Sequence, residues 1–168
     1  MKKLIIGLLV GGLAGAIAGF AAGIFIYPFW FLNEAATEVL PDGVARTALA
    51  KGTFIHVKPS DPVHWGKGGV TVYREESGSA LVHLGGDFEV GPGPRYHVYL
   101  VDGATIGGEA VFKAAQSVDL GRLRAFRGSQ SYAVPLGTDP ARYRSVVVWC
   151  KELNVLITAA SLGPPKPG

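Results

Sequence analysis

The chain has 168 residues, 48% of them hydrophobic, with 16 basic and 13 acidic side chains and a formal net charge of +3. Setting aside Lys2 and Lys3 leaves 14 basic residues against 13 acidic ones, too even a balance for a nucleic-acid-binding stripe. The single cysteine, Cys150, excludes an internal disulfide, a CxxC redox pair and a zinc site built on several thiolates.

An uncharged run from Leu4 to Leu32 predicts a transmembrane helix, because its 29 residues exceed the roughly 20 that cross a bilayer core. The Lys2-Lys3 pair precedes the run, and the positive-inside bias places that end in the cytoplasm. We therefore expect residues 1–32 to be an uncleaved signal anchor of a single-pass membrane protein, with the rest of the chain periplasmic or extracellular. The alternative is a cleaved signal peptide, whose apolar region is usually only about 7–15 residues long.

Five glycines of the predicted helix recur at every fourth position and so share one face: Gly7, Gly11, Gly15, Gly19 and Gly23. Small residues at this spacing let two helix backbones approach closely in a bilayer. The ladder predicts packing of the helix against a second copy of itself. The alternative is an anchor that is simply rich in glycine, since Gly12 lies off the ladder.

After the anchor, residues 33–50 mix helix-forming residues with the turn signal Pro41-Asp42-Gly43 and predict a tether with short helical stretches. From residue 51 to 163, short β-type runs alternate with turns, which predicts an all-β domain, an antiparallel β-sandwich of about eight strands. Residues 164–168 are expected to be a disordered tail. A helical turn is expected at Ala110–Ala115. The predicted strands are Thr53–Val57, Gly69–Arg74, Ala80–Leu84, Arg95–Val101, Gln116–Leu120, Ser131–Pro135, Ser145–Lys151 and Asn154–Ala160.

Residues 146–149 are apolar on both faces, which predicts a central strand that is covered on both sides. By alternation, Cys150 shares a face with Val146 and Val148, whereas Trp149 and Lys151 point to the other. A cysteine on an apolar strand face is usually buried, inert packing. A lone thiol in an oxidising compartment is also a reactivity hazard unless it is shielded or used. Cys150 is therefore a candidate redox thiol or cofactor ligand, and both interpretations stay open.

Among the four histidines, His64 falls in a loop, Asp61 to Gly66, where a ring nitrogen is available to a cofactor; the alternative, which we favour for each histidine taken alone, is an ordinary surface or hydrogen-bonded side chain. The histidine spacings match no standard metal signature, so no metal site is predicted. A blue-copper site is excluded because no histidine follows Cys150 and the only methionine is Met1. Haem-attachment, nucleophile-elbow and phosphate-binding motifs are missing from the sequence.

Short motifs follow one another in a fixed order through the predicted β domain: Gly52-Thr53-Phe54, His64 with Gly68–Tyr73, Asp87-Phe88, Gly93-Pro94, His97–Leu100, Val118–Leu123, Gly128–Tyr132 with Pro135, and Tyr143–Lys151. Together they resemble the DM thirteen domain, also found in Skeletor-type cell-surface proteins of animals. The resemblance covers about Lys51 to Leu162. It implies an extracytoplasmic β domain proposed for electron transfer or oxidative modification. In that family the cysteine of the Trp-Cys-Lys motif, here Cys150, is suggested to be a naked thiol or the ligand of a prosthetic group such as haem.

The sequence thus predicts a membrane-anchored domain that acts in electron transfer or thiol redox chemistry through Cys150. Its cofactor is left open between haem and none. The expected partners are the membrane, a second copy through the helix, and a protein at the cell surface, with no nucleic acid. The main alternative is a non-enzymatic adhesion or scaffold module, and a weaker one gives the function to the glycine ladder, with the β domain as its regulator.

Overall fold

The computed structural model describes residues 2–31 and 35–165. A single long helix, α1 (Lys2–Phe31), precedes an all-β domain that contains one short helix, α2 (Glu109–Ala114), and a 3-10 turn at Pro140–Arg142. This confirms the predicted fold class, an all-β domain with one N-terminal apolar helix. Three residues at the junction of the predicted anchor and tether, Leu32, Asn33 and Glu34, lie outside the described residues. So do the last three residues of the predicted tail.

The β domain contains eleven strands within the described residues. They are β1 (Ala36–Thr37), β2 (Arg46–Ile55), β3 (Gly66–Lys67), β4 (Gly69–Glu75), β5 (Ala80–Leu84), β6 (Glu89–Val90), β7 (Tyr96–Val101), β8 (Ser117–Arg122), β9 (Gly128–Ala133), β10 (Ser145–Cys150) and β11 (Val155–Gly163).

Nine strands form one curled, mixed sheet in the order β1-β9-β5-β4-β2-β11-β10-β7-β8, and β3 pairs with β6 beside it. The β1–β9 pair is parallel, and the other pairs in the large sheet are antiparallel. Strands β8 and β9, from opposite parts of this order, contact each other. The sheet therefore curls around one of its own faces, and that face forms the core.

The inner face of the sheet carries the main core, which includes Val70, Val72, Leu84, Val98, Leu100, Val146, Val148, Cys150 and Ile157. A second buried cluster lies on the outer face, where α2 contacts β11; it includes Tyr99, Val101, Ile106, Phe112, Val147, Trp149 and Leu156. Every residue of β10 is buried, and the strand lies between β11 and β7. The predicted central strand with two covered faces is confirmed.

The eight predicted strands are all present, and Ala80–Leu84 has the predicted bounds. The sequence does not predict β1, β3 and β6, because a run of two residues shows no alternation. Strand β2 begins at Arg46, within the segment expected to form a tether with short helical stretches. That expectation is wrong for residues 46–50, because pairing with β4 and the Arg46–Glu75 ion pair (3.0 Å) outweigh the local preference of alanine for helix.

Candidate functional site

Cys150 is the last residue of β10, opposite Tyr96 on β7 and Val155 on β11. Its exposed fraction is 0%. It belongs to the inner core with Val146 and Val148, as the alternation predicts. The strand ends here because a four-residue turn, 151–154, leads into β11. The thiol thus lies at the end of a fully buried strand and beneath a surface turn.

The sulfur of Cys150 has two backbone partners. Its S–H group donates to the carbonyl oxygen of Pro94 at 3.1 Å, and the N–H of Leu153 donates to the sulfur at 3.4 Å. Burial raises the pKa of this thiol above its ordinary value, although the amides of Leu153 and Glu152 act in the opposite direction. The resting group is therefore a protonated thiol and not the reactive thiolate.

Two short segments, 94–95 and 151–154, cover the thiol, and we call them the loop cover. The N–H of Lys151 donates to the carbonyl oxygen of Arg95 at 3.2 Å, and the Arg95 guanidinium meets the Glu152 carboxylate at 3.1 Å. Arg95 and Asn154 both have left-handed backbone angles, with φ of 44° and 56°. The Arg95 and Glu152 side chains are 58% and 54% exposed, so their ion pair adds only about 0–1 kcal/mol. The loop cover therefore lies between Cys150 and solvent, and the side-chain ion pair that joins its two segments is weak.

Tyr96 lies next to the thiol on the neighbouring strand. It is 3% exposed and packs edge-on against Phe126, with ring centroids 5.8 Å apart. Burial raises the pKa of Tyr96, and the nearby Cys150 and Asp61 raise it further. A Cβ at Gly93 would overlap the Tyr96 hydroxyl, which explains why the loop before β7 carries glycine there. Tyr96 therefore packs in the core beside Cys150 as a neutral phenol.

The predicted ligand His64 is held by a carboxylate that the sequence analysis did not single out. Its Nδ1 lies 2.6 Å from Asp61 Oδ2, and the other Asp61 oxygen accepts the N–H groups of Val63 and His64 at 2.9 and 3.1 Å. The bond from His64 and these amides hold the pKa of Asp61 well below its ordinary range. Because Nδ1 of His64 is hydrogen-bonded to Asp61, a cofactor would have to bind the other ring nitrogen, Nε2. The Asp-x-x-His spacing at the start of a loop is the signal that could have revealed the pair.

The surroundings of Cys150 do not fit a haem, and the described residues offer no cluster for a metal ion. The sulfur of Cys150 has no exposed surface and is held by Pro94 and Leu153, so the closed site leaves no room for a planar group as large as haem. Within residues 2–31 and 35–165, no three His, Cys, Asp or Glu side chains are placed to hold a metal ion. The role of His64 remains a prediction.

The other face of the same strand carries an aromatic cluster of Trp149, Phe112 and Tyr99, with His97 beside it. Lys151 and His97 both reach Asp119, which also accepts the Tyr99 hydroxyl at 3.3 Å. Lys151 therefore points away from Cys150, as the sequence predicts, and supplies no cation to the thiol. Asp119 is not recognisable as a functional candidate from the sequence, because only the β7–β8 register places it opposite Tyr99.

Comparison with known proteins identifies one family. The profile of the family described as electron transfer DM13 matches residues 58–162, which include Cys150, Tyr96, His64 and the aromatic cluster. No curated protein and no solved structure matches the chain. The matched segment begins shortly after β2 and runs almost to the end of β11, so it covers more than half of the chain.

Proposed function

We propose, because the chain belongs to the electron transfer DM13 family, that its β domain exchanges electrons at a membrane surface through Cys150. The family description supports electron transfer as the general activity. The observation that carries the choice of residue is the position of the sulfur, buried at a strand end under the exposed loop cover. A deep core thiol would have no such route to a partner.

The proposed chemistry is thiol exchange with a partner protein, because a chain with a single cysteine cannot close an internal disulfide. The loop cover opens, and the thiol separates from Pro94 and Leu153 and loses its proton to solvent. The thiolate then attacks a disulfide of the partner: a bond forms between the two proteins and the partner's S–S bond breaks. The second partner sulfur leaves as a thiolate. Cys150 is thereby oxidised and the partner reduced, until another thiol reverses the exchange.

The proposed location follows from the helix and the charges that flank it. Ile5–Ile24 of α1 is long and apolar enough to cross a bilayer, which is consistent with a single-pass membrane protein. We propose that Lys2 and Lys3 keep the amino end in the cytoplasm. The β domain would then face an oxidising compartment, periplasmic or extracellular, in which disulfide partners persist.

The test measures how fast the native thiol of the full chain reacts with a small alkylating reagent and with a small disulfide. Glu152→Gln, which removes the ion pair of the loop cover, is expected to speed both reactions by up to about fivefold, equivalent to about 1 kcal/mol. Glu89→Gln is the matched control, because it breaks the exposed Lys67–Glu89 pair elsewhere (2.8 Å). If the thiol of every variant reacts only at the rate of global unfolding, Cys150 is not the redox residue.

The complete burial of Cys150 favours a second candidate, a non-enzymatic adhesion or scaffold module in which the cysteine is only core packing. A thiol titration of the purified full chain separates the two functions. Mixed-disulfide formation under native conditions supports the redox function. A thiol that stays unreactive until the protein unfolds supports the scaffold.

A further inference from the structure

Trp149, on the face of β10 opposite Cys150, belongs to a chain of three aromatic rings that continues through Phe112 of α2 to Tyr99 of β7. Trp149 stacks on Phe112 with centroids 4.5 Å apart and planes inclined by 28°. Phe112 meets Tyr99 edge to face at 5.3 Å. Trp149 and Tyr99 are only 5% and 9% exposed. Tryptophan and tyrosine are the aromatic side chains that are oxidised most readily, so this cluster joins two oxidisable groups through a ring that touches both.

The hydroxyl of Tyr99 is hydrogen-bonded to the carboxylate of Asp119, which can act as a base. The hydroxyl donates to Asp119 Oδ2 at 3.3 Å, an oxygen that also accepts a hydrogen bond from Lys151 Nζ at 2.5 Å. The His97 ring nitrogen lies 2.9 Å from Oδ1 and 3.0 Å from Oδ2 of the same carboxylate. Burial would raise the pKa of Asp119, but hydrogen bonds from Lys151, His97 and the Gly121 amide outweigh it and lower the pKa to about 2. Burial and the negative charge of Asp119 raise the pKa of Tyr99. At neutral pH the phenol of Tyr99 therefore keeps its proton, and the Asp119 carboxylate beside it is ionised.

A phenol that loses an electron becomes a strong acid, so oxidation is easier where a base can take the proton at the same time. Lys151 adds to this effect: its ammonium lies 5.9 Å from the centre of the Tyr99 ring, where its charge disfavours a positively charged radical. Loss of the proton together with the electron keeps the ring neutral. The geometry around Tyr99 thus suits coupled transfer of an electron and a proton.

We propose that Tyr99 is a redox-active tyrosine that gives one electron to a one-electron oxidant while its proton moves to Asp119. The O–H bond of Tyr99 breaks, an O–H bond forms at Asp119 Oδ2, the oxidant gains one electron, and Tyr99 becomes a neutral tyrosyl radical. A one-electron reductant restores the phenol as the proton returns. Phe112 and Trp149 extend the electron path to the strand that carries Cys150. The proposal extends the proposed electron-transfer function but does not require the thiol.

Tyr132 provides a matched contrast within the same domain. It is buried, and a cation lies over its ring, with the Arg124 guanidinium 4.9 Å from the centroid. Its hydroxyl donates to Gln130 Oε1 at 2.6 Å, which is an amide oxygen and cannot take a proton at neutral pH. Tyr132 and Tyr99 differ chiefly in whether the acceptor is a base.

The experiment oxidises the full chain in detergent micelles with a photogenerated ruthenium(III) polypyridyl complex and follows tyrosyl radical formation by transient absorption and electron paramagnetic resonance. Tyr99→Phe is expected to remove most of the radical, and Tyr132→Phe to leave it unchanged. Asp119→Asn keeps the shape of the acceptor but removes the base, and should slow radical formation by about 100-fold, the lower end for a positioned base. Circular dichroism establishes that each variant is folded.

The outcomes separate this proposal from the function of the thiol. Cys150→Ala should form the radical as the native chain does, whatever the thiol itself can do. A radical that persists in Tyr99→Phe, or that is lost equally in Tyr132→Phe, overturns the assignment to Tyr99. An unchanged rate in Asp119→Asn overturns the role of Asp119 as proton acceptor. Loss of the tyrosyl radical in Cys150→Ala would show that its formation requires the thiol and would overturn the proposal as well.

Discussion

Cys150 combines two properties that seldom occur together in one residue. Its side chain is completely buried, as inert core cysteines are, yet its sulfur is bonded to the backbone of exposed loops on either side. The raised pKa argues against a permanently reactive thiolate. Reactivity at this position therefore depends on opening of the loop cover, and a substitution distinguishes this arrangement from simple packing.

Cys150→Ser and Cys150→Ala are both expected to fold and to lower the melting temperature by about 2–8 °C. Serine places a less apolar group in the core, and alanine leaves the space of the sulfur empty and the Leu153 N–H without its acceptor. Both variants should lose mixed-disulfide formation. Thermal melting and mass spectrometry after exposure to a small disulfide measure the two effects. A native chain that forms no mixed disulfide, while both variants show only lower melting temperatures, would leave Cys150 a packing residue.

Asp119 should make the stability of the domain depend on pH. Its pKa is about 2 in the folded protein against an ordinary value of 3.8, so its contribution is fully present above about pH 4. That contribution is lost as the pH falls from about 4 to about 2, where the carboxyl becomes protonated. The gap in melting temperature between the native chain and Asp119→Asn should shrink across this window. Asp61 and Glu109 also have lowered pKa values, but both residues are present in the native chain and in Asp119→Asn. Their contributions therefore cancel in the difference between the two melting temperatures. A gap that does not change with pH would contradict this assignment.

At the scale of elements, the sequence predicts long strands well because alternation needs only local residues. Strand β5 has its predicted bounds, and β10 is buried on both faces. Pairing between distant segments is not visible locally: β1 consists of Ala36–Thr37 and exists only because it lies beside β9. At the candidate site, too, one feature follows from the local sequence and another depends on the fold. The face of Cys150 follows from alternation, whereas its contacts with Pro94, 56 positions away in the chain, depend on the fold.

The glycine ladder of α1 allows a test at the same scale. A Cβ at Gly15 would meet no atom within 4 Å, so Gly15→Leu does not disturb the helix within one chain. It should nevertheless weaken any pairing of two helices, because a large side chain holds the backbones apart. Gly12→Leu is the control, since Gly12 is equally open but lies off the ladder. Crosslinking in native membranes measures the dimer fraction. An equal effect of both substitutions, or of neither, would mean that the ladder is not the contact.

At the scale of the whole molecule, one strand links the two proposed functions. Strand β10 presents Cys150 to the inner core and Trp149 to the aromatic cluster, in consecutive residues. A thiol exchanges groups with a disulfide, whereas the Tyr99–Asp119 pair exchanges single electrons with a proton. If both act, the domain can couple one-electron and thiol chemistry across a single sheet. Such a domain needs a fixed position near its partners, which a membrane anchor provides.

We expect the mature protein to retain α1 and to stay in the membrane. The uncharged run is longer than a cleavable apolar region. In the structure, residues 36–38 already belong to the β domain: Glu38 pairs with Arg124 at 2.8 Å and accepts the Ser131 N–H at 2.8 Å, and the adjoining β1 pairs with β9. Cleavage after Thr37 would remove β1, and cleavage close to Ala50 would remove Glu38 and the first half of β2 as well. Amino-terminal sequencing and carbonate extraction of membranes test this expectation. A mature chain that starts between Asn33 and Ala50 would show that the helix is a removable signal.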